Sequence, residues 1–204
     1  RFEGTTLVMA ATDSYRLSVK ETTLERPGPD LEAIIPARAL AELVRLAGDG
    51  TVQLGVSENH VVFGVGGTWL TTRRIDGQFP NYKQLLPESF EAELQLPRAE
   101  LLGVVRRAAV VAQRNTPLRL RFAEGELTVT AQSQDYGETS ESVPAPYTGE
   151  PLEIGFNADF LREGLESISS DTVRVQLINP LRPGLLTDPD DAFWYLIMPI
   201  RLAG

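Results

Sequence analysis

Residues 194–202 read Trp-Tyr-Leu-Ile-Met-Pro-Ile-Arg-Leu, an almost unbroken apolar run close to the end of the sequence. Periodicity alone leaves a buried helix segment open, but the short length and the Trp, Tyr and Ile content favour a strand buried on both faces. Pro199 has no N–H for a sheet ladder, so we expect regular pairing to end near it. Residues 196–200 are then either plain core, the more common case, or the floor of an apolar pocket near the surface.

Composition limits the class of protein. A chain of 204 residues with 42% hydrophobic residues fits one large domain or two of about 100 residues. No run approaches the ~20 apolar residues of a membrane span, and the absence of cysteine excludes disulfides and thiolate metal sites. These features favour the cytoplasm. The formal net charge of −9 argues, as a bulk number, against a simple nucleic-acid binder.

The sequence predicts many short strands and three amphipathic helices. We expect helices at Pro36–Leu46, Pro97–Arg114 and Asn157–Ile168, the last with Asn157 as its cap. In the first helix Leu40, Leu43, Val44 and either Leu46 or Ala47 should form the apolar stripe. The predicted strands include 31–35, 52–56, 60–65, 69–75, 91–96, 118–122, 126–131, 152–156, 173–178, 184–187 and 193–199.

The two halves of the sequence match at an offset of about 120 residues, a period long enough for whole domains. Residues 35–40 parallel residues 156–161, and each segment leads into a helix followed by a strand meander. The helix at Pro97–Arg114 has no counterpart in the first half. If the repeat holds, the sequence begins inside a domain, roughly 25–30 residues after its start.

Candidate chemical groups are few. His60, the only histidine, lies in a predicted strand beside valines and is interpreted as structural. Asp13 lies in a Thr-Asp-Ser bend with no partner acid or base at a recognisable spacing, so it should stabilise the bend. Asp188-Pro189-Asp190-Asp191 lacks the glycine and glutamate of a calcium loop and is interpreted as a solvated turn. Gly64–Gly67 is interpreted as a hairpin turn. The sequence therefore predicts no catalytic residue, no metal site and no cofactor.

Charge is segregated onto the helices. Pro36–Gly48 carries one net positive charge, Pro97–Arg114 carries three, and Asn157–Ser170 carries two net negative charges. A helical layer that faces an anionic polymer fits this pattern, and ordinary solvated helices fit it nearly as well.

Several motifs, in the right order along the whole chain, resemble the bacterial DNA polymerase III beta subunit, the replicative sliding clamp. The most specific are Ala-Thr-Asp-Ser-Tyr-Arg-Leu at 11–17, Ile-Pro at 35–36, Asp-Gly-Gln-Phe-Pro-Asn-Tyr at 76–82 with Leu-Pro at 86–87, Ile-Gly-Phe-Asn at 154–157, and Met-Pro-Ile-Arg-Leu at 198–202. The family usually has Gly-His in place of Ser14-Tyr15 and Met in place of Ile200, and Ala203-Gly204 follow its usual terminal leucine.

The resemblance implies an α+β protein with three domains of the DNA-clamp (processivity) fold. Antiparallel sheets would lie outside and paired helices on the inner face of a head-to-tail homodimeric ring around duplex DNA. Residues 1–88 would be most of the middle domain, incomplete at its N-terminus, and residues 89–204 the C-terminal domain. The family is non-catalytic and uses no cofactor. Its implied setting is the bacterial cytoplasm at the nucleoid.

Partners of the family are the DNA polymerase III alpha subunit, the clamp loader, other polymerases and repair proteins, which bind through short peptides. By the resemblance, the peptide pocket would consist of Thr12, Ser14, Tyr15, Arg16, Leu17, Pro80, Gln84, Leu85, Phe160, Pro183, Leu196, Ile197, Met198, Pro199, Ile200 and Arg201. The DNA-facing candidates are Arg38, Arg106 and Arg107. Val110 and Val111 match an apolar pair of the dimer interface, with core packing as the alternative.

Two other hypotheses stay open at this point. One is a small-ligand enzyme that uses Asp13 and Arg16 in a cleft, and the other is a β-rich interaction module that binds no DNA. We also expect that this chain alone forms no closed ring, because the domain that would complete the interface is not in the sequence.

Overall fold

A computed structural model describes residues 1–112, 116–190 and 192–202. The chain divides into two compact units, one made of residues 1–7 and 23–86 and the other of residues 8–22 and 87–204. These are called the first unit and the second unit. Among the described helices, none is both long and apolar enough to cross a membrane.

The first unit contains a three-stranded antiparallel sheet and one helix. Its elements are β1 (Phe2–Glu3), the start of β2 (Thr6–Thr12), α1 (Ala37–Ala47), β4 (Gln53–Val56), β5 (His60–Val65), β6 (Thr68–Arg73) and a 3-10 turn (Tyr82–Leu85). The sheet has the order β4-β5-β6, and β1 pairs with the first residues of β2. The turn between β5 and β6 places Gly66 and Gly67 at φ 53° and 85°, which confirms the predicted glycine hairpin.

Helix α1 begins directly after Pro36, as predicted, and ends where Gly48 adopts a left-handed φ of 48°. The predicted apolar stripe is partly wrong. The helix packs on β5 and β6, where Ala39 is buried, while Val44 is 73% exposed and Leu46 45% exposed. Ala47, the predicted alternative to Leu46, is half-buried. The periodicity of the sequence identified an apolar face, but these two side chains point away from the sheet that buries Ala39.

The strand predicted at residues 31–35 is also wrong. This segment has no regular strand structure, and its backbone is held by isolated bonds instead. The N–H of Ile75 donates to the carbonyl of Ile34 at 2.9 Å, and the Arg74 guanidinium donates to the carbonyl of Glu32 at 3.0 Å. A side chain thus takes the place of a ladder partner.

The second unit contains two antiparallel sheets and two helices. Its elements are the rest of β2, β3 (Arg16–Thr23), β7 (Ala92–Pro97), α2 (Arg98–Val111), β8 (Leu118–Ala123), β9 (Glu126–Ser133), β10 (Gly137–Pro144), β11 (Leu152–Phe156), α3 (Ala158–Glu166), β12 (Thr172–Leu177), β13 (Gly184–Thr187) and β14 (Phe193–Ile197). In one sheet the strands follow the order β2-β3-β14-β13-β12-β7, and in the other β10-β9-β8-β11.

The order of elements repeats along the chain. Helix α1 is followed by β4, β5 and β6, helix α2 by β8, β9 and β10, and helix α3 by β12, β13 and β14. This recurrence confirms the internal repeat inferred from the sequence. Helix α2 ends at Val111, earlier than predicted, and Arg114 lies outside the described residues.

The core of the second unit lies between its sheets and helices. Helices α2 and α3 pack against each other, and α2 also packs on β9 and β10. Leu101, Val105, Leu161 and Leu165 are all nearly inaccessible. Helix α3 starts as predicted, because the Asn157 side chain accepts the N–H of Phe160 at 3.0 Å.

Strand β14 confirms the prediction for the apolar run. It lies between β3 and β13, and Tyr195, Leu196 and Ile197 are buried. The ladder ends at Ile197, just ahead of Pro199. Beyond the proline, the N–H of Ile200 donates to the carbonyl of Gly155 at 2.8 Å and so reaches the edge strand β11 of the other sheet.

Candidate functional site

The bend between β2 and β3, residues 12–16, is held by its own side chains. The Thr12 hydroxyl donates to the carbonyl of Arg16 at 2.8 Å. One carboxylate oxygen of Asp13 accepts the N–H groups of Tyr15 and Arg16, both at 3.1 Å, and the other accepts Nε of Arg16 at 2.9 Å. Both oxygens are therefore used inside the bend. This arrangement agrees with the predicted bend-stabilising role of Asp13 and gives no support to a catalytic one.

Ser14 has a φ of 72°, and among the described residues other than glycine it is the one in the left-handed region. A side chain at this φ is strained, since Cβ approaches the following carbonyl oxygen. This strain explains why glycine, which has no Cβ, suits this position.

Arg16 connects the bend to helix α3. Its Nη1 donates to the carboxylate of Glu163 at 2.5 Å and lies 3.4 Å from the hydroxyl of Tyr195. Its guanidinium carbon lies 4.3 Å from the centroid of the Phe160 ring, a cation–π contact. Partial burial by itself lowers the pKa of Arg16, but the hydrogen bonds to Tyr195, Glu163 and Asp13 outweigh it and raise the pKa above its usual value.

The hydroxyl of Tyr195 belongs to the same cluster of hydrogen bonds. Burial, together with the charges of Glu163 and Asp13, raises its pKa despite the nearby Arg16, so the hydroxyl stays protonated. That hydroxyl donates to the carbonyl of Phe160 at 3.0 Å.

Two large side chains at this bend are exposed. Tyr15 is 64% exposed and its ring centroid lies 6.3 Å from that of Phe160, while Met198 is 42% exposed. The N–H of Met198 donates to the carbonyl of Tyr15 at 2.9 Å, which ties the end of β14 to the bend. The structure thus brings Tyr15, Phe160 and Met198 onto one hydrogen-bonded frame, which we call the bend surface.

Three of the predicted pocket residues are buried. Leu17 pairs with Leu196 across the β3–β14 ladder, and both, like Ile197, are at most 2% exposed. In this structure they are core residues beneath the bend surface, so a direct contact with a partner stays a prediction. Pro183, Pro199 and Ile200 are half-buried and Arg201 is exposed.

The remaining predicted pocket residues belong to the first unit. Pro80 is exposed and precedes the 3-10 turn that contains Gln84 and Leu85, and Leu85 is 53% exposed. Phe79 and Tyr82 meet edge to face at 6.1 Å and give this loop a local apolar contact. That these residues complete a pocket stays a prediction.

The predicted DNA-facing arginines are all exposed. Arg38 lies in the first turn of α1. On α2, Arg106 pairs with Glu166 of α3 at 2.8 Å, and Arg107 pairs with Glu141 of β10 at 2.6 Å. The Glu141 carboxylate raises the pKa of Arg107, and Arg107 lowers the pKa of Glu141. Two of the three candidate charges are thus balanced by neighbouring carboxylates.

The predicted dimer-interface pair differs in exposure. Val110 is 81% exposed on α2, whereas Val111 is partly buried and packs against the core of the second unit. Core packing, the alternative weighed for both, has support for Val111, and the interface role of the pair stays a prediction.

The interpretation of residues 188–191 as a solvated turn is wrong for Asp188, and Asp191 lies outside the described residues. Asp188 is 5% exposed and accepts hydrogen bonds from the backbone and hydroxyl groups of both Ser169 and Ser170. The N–H of Asp190 adds another at 3.1 Å. Burial tends to raise the pKa of Asp188, but these donors lower it well below its usual value. The carboxylate ties the segment after α3 to the end of β13.

Metal chemistry finds no support in the described part of the chain, which contains no group of three or more candidate ligand side chains close together. His60 begins β5, where its N–H and carbonyl close a turn with Ser57.

Sequence reasoning missed Glu163 and Tyr195 as members of the site. Glu163 is one of several acids on α3, and its partner is 147 positions away in sequence. Tyr195 lies within the apolar run, whose pattern predicts a buried strand and no polar role for this residue. No local pattern distinguishes either residue, because their role follows from the packing of α3 beside β3 and β14.

Comparison with known proteins places this fold and this bend in a family. The profile described as "DNA polymerase III beta subunit, C-terminal domain" matches residues 83–201, and the profile of the central domain matches residues 1–81. This chain belongs to the DNA polymerase III beta subunit family.

Relatives within the beta subunit family agree over nearly the whole chain. The beta sliding clamp of Streptomyces coelicolor is 35% identical over 99% of the chain and 58% of its own length. The crystal structure of the Pseudomonas aeruginosa beta subunit superposes with a TM-score of 0.90 at 30% identity, covering 98% of this chain and 57% of that one. A second P. aeruginosa clamp structure, bound to griselimycin, gives a TM-score of 0.87 at 30% identity over 98% of this chain and 55% of that one. The chain thus spans little more than half the length of these relatives. The α+β fold with antiparallel sheets, predicted from the sequence, is confirmed.

Proposed function

We propose that this chain is part of a DNA sliding clamp that encircles duplex DNA and confers processivity on the replicative polymerase. Its role is that of a non-catalytic accessory subunit that acts as a homodimeric ring in the bacterial cytoplasm at the nucleoid and needs no cofactor. Support comes from family membership across the length of the chain. The use of both Asp13 oxygens within its own bend agrees with a non-catalytic role.

The proposed domain division is residues 1–88 for the middle domain and 89–204 for the C-terminal domain. Two family profiles that meet between residues 81 and 83 support a division in this region. The separation of the chain into units at residues 86 and 87 also supports it, whereas the assignment of residues 8–22 to the second unit does not.

The proposed partner site is the bend surface together with Pro80, Gln84, Leu85 and the other predicted pocket residues. The observation that carries it is the exposure of Tyr15 and Met198 on a bend held by Asp13 and Arg16. Exposed apolar side chains beside fixed polar groups suit a short peptide with leucine and phenylalanine anchors. The flexible thioether of Met198 can adapt to several sequences, which fits recruitment of the polymerase alpha subunit, the clamp loader and repair proteins.

The proposed DNA face carries Arg38, Arg106 and Arg107. A clamp holds DNA by topology, and tight ionic contacts would hinder sliding. The pairing of Arg106 with Glu166 and of Arg107 with Glu141 supports weak attraction to DNA, since each carboxylate offsets part of the arginine charge that would attract phosphates.

We further propose Val110 and Val111 as part of the dimer interface, and the high exposure of Val110 supports its inclusion.

The peptide site is tested by fluorescence anisotropy with a labelled peptide that carries a glutamine, a leucine and a terminal Leu-Phe pair. We expect saturable micromolar binding to the parent chain, reduced about tenfold or more in Tyr15→Ala and Met198→Ala, because each removes an exposed anchor contact. Met9→Ala is the matched control: Met9, the other methionine, is 47% exposed on β2 outside the proposed site.

Equal loss of binding in Met9→Ala and Met198→Ala would show that the effect is not local to the bend surface. If the parent chain and the full-length protein both failed to bind the peptide, the proposed partner site would be abandoned.

The proposed encirclement of DNA is tested with the full-length protein loaded on nicked circular DNA. A clamp should remain bound at high salt and be lost when the DNA is cut to a linear form, whereas salt-sensitive binding to both forms would contradict encirclement.

A further inference from the structure

The side chain of Arg16 is directed into the protein rather than toward a partner. It is only 25% exposed, and its Nε and Nη1 are already engaged by Asp13, Glu163 and Tyr195. A hydrogen bond from Arg16 to a bound peptide would therefore compete with three existing contacts. A charge-assisted pair with a carboxylate is the strongest of these, and a peptide backbone carbonyl cannot replace it at equal strength.

We propose that Arg16 and Glu163 form a positioning pair that fixes the ring of Phe160, so that Phe160 and Tyr15 present a preformed aromatic surface to a leucine or phenylalanine side chain of the partner peptide. This inference rests on the proposed peptide-binding function. It assigns to Glu163 a role in recognition, although Glu163 itself need not touch the peptide.

Phe160 is fixed at its backbone by two hydrogen bonds. Its N–H donates to the Asn157 cap at 3.0 Å, and its carbonyl accepts the hydroxyl of Tyr195 at 3.0 Å. The ring is only partly buried: it packs against the core of the second unit, and the guanidinium of Arg16 lies 4.3 Å from its centroid. Its orientation therefore depends in part on where Arg16 is held.

Glu163 is the carboxylate that ties Arg16 to the helix of Phe160. Asp13 and Arg16 are three residues apart in the same bend, so their ion pair does not connect Arg16 to any other element. Glu163 lies one turn after Phe160 on α3, and its contact with Arg16 joins two elements that are far apart in sequence. Loss of Glu163 should free Arg16 from α3 while the bend itself stays intact.

The binding test compares Glu163→Gln with Glu166→Gln, a control on the same helix whose carboxylate pairs with Arg106 instead. We expect Glu163→Gln to weaken the labelled peptide about fivefold to tenfold and Glu166→Gln to leave its affinity unchanged. In a Phe160→Ala background, Glu163→Gln should have no further effect, because the ring that it positions is gone. Equal affinities of Glu163→Gln and the parent, or additive losses in the double variant, would overturn the proposal.

A second readout needs no peptide. Protons of the Arg16 side chain lie over the face of the Phe160 ring, so the ring current should shift their NMR signals upfield. We expect this shift to shrink in Glu163→Gln and to persist in Glu166→Gln. If neither the parent chain nor the full-length protein bound the peptide, the proposed partner site would fail independently of the positioning role. The NMR shift would still decide the positioning, and an unchanged shift in Glu163→Gln would overturn it.

Discussion

Replacement of Gly164 by alanine tests the packing beneath the bend surface. Gly164 lies in α3, and the ring of Tyr195 rests against its α-carbon. A Cβ built at this position would lie 2.7 Å from both Cδ1 and Cε1 of Tyr195 and 3.3 Å from Cδ1 of Leu186. Carbon atoms pack favourably at about 3.5–4.0 Å, so the new methyl group overlaps two ring atoms at once.

The neighbours of this methyl group cannot easily yield. Tyr195 is 5% exposed and Leu186 is 3% exposed, so neither can swing into solvent. Alanine in a helix interior gains roughly 0.5–1 kcal/mol over glycine, whereas overpacking of a filled core costs roughly 1–3 kcal/mol. We therefore expect Gly164→Ala to lower the free energy of unfolding of the second unit by up to about 2 kcal/mol.

Gly103→Ala is the matched control. Gly103 lies in α2, where a new Cβ would meet only the Nη1 of Arg107, at 3.4 Å. This atom belongs to the end of an exposed, flexible side chain that can shift. The helix-propensity gain is shared by the two substitutions, so Gly103→Ala should be stabilising and the two variants should differ by about 1–3 kcal/mol.

The measurement is urea unfolding followed by tryptophan fluorescence. The chain has two tryptophans, and in a Trp69→Phe background Trp194 reports on the second unit alone. Displacement of Tyr195 should also remove its hydrogen bond to the Phe160 carbonyl, so peptide affinity should fall in Gly164→Ala and not in Gly103→Ala. The reasoning is refuted if Gly164→Ala proves at least as stable as Gly103→Ala.

Two further substitutions address backbone strain and the buried carboxylate. Ser14→Gly should raise the free energy of unfolding by up to about 1 kcal/mol, because glycine adopts a φ of 72° without strain; an equal gain in Ser14→Ala, which keeps the Cβ, would contradict this. Asp188→Asn should cost about 1.5–3 kcal/mol at neutral pH, since it removes a charged acceptor of several hydrogen bonds. The pKa of Asp188 is lowered in the folded state, so its stabilisation is complete above the ordinary value of about 3.9 and is lost as the pH falls below it. A difference between parent and Asp188→Asn that stayed constant down to pH 2.5 would argue against this role.

The elements that could be predicted from sequence are those whose signals are local. Pro36 and Gly48 delimit α1, Asn157 caps α3, and Pro199 follows the end of β14 because it cannot donate to a ladder. The bend at residues 12–16 belongs to the same class, since Asp13 bonds to groups within three positions of itself.

The errors arose where tertiary packing decides. Val44 and Leu46 continue the apolar pattern of α1 but face away from β5 and β6. The segment 31–35 has strand-like composition, yet isolated bonds from Arg74 and Ile75 take the place of a ladder. Asp188 lies in a run of acids with one proline, a composition typical of an exposed turn, but serines 18 and 19 positions away donate hydrogen bonds to its buried carboxylate.

The apolar run at residues 194–202 is both core and surface, and its hydrogen bonds show how this is possible. Up to Ile197 the run is a central strand, and after it Met198 donates to the Tyr15 carbonyl and Ile200 donates to the Gly155 carbonyl. Met198 is therefore fixed on both sides, to the bend in one sheet and to the edge strand of the other. Gly155 permits this approach, because a Cβ there would lie 2.7 Å from the Ile200 carbonyl oxygen. A rigid backbone reduces the entropy that binding must overcome, while the flexible Met198 side chain can adjust to different partners. The proposed recruitment of several peptides requires both properties, and this run supplies them within three residues.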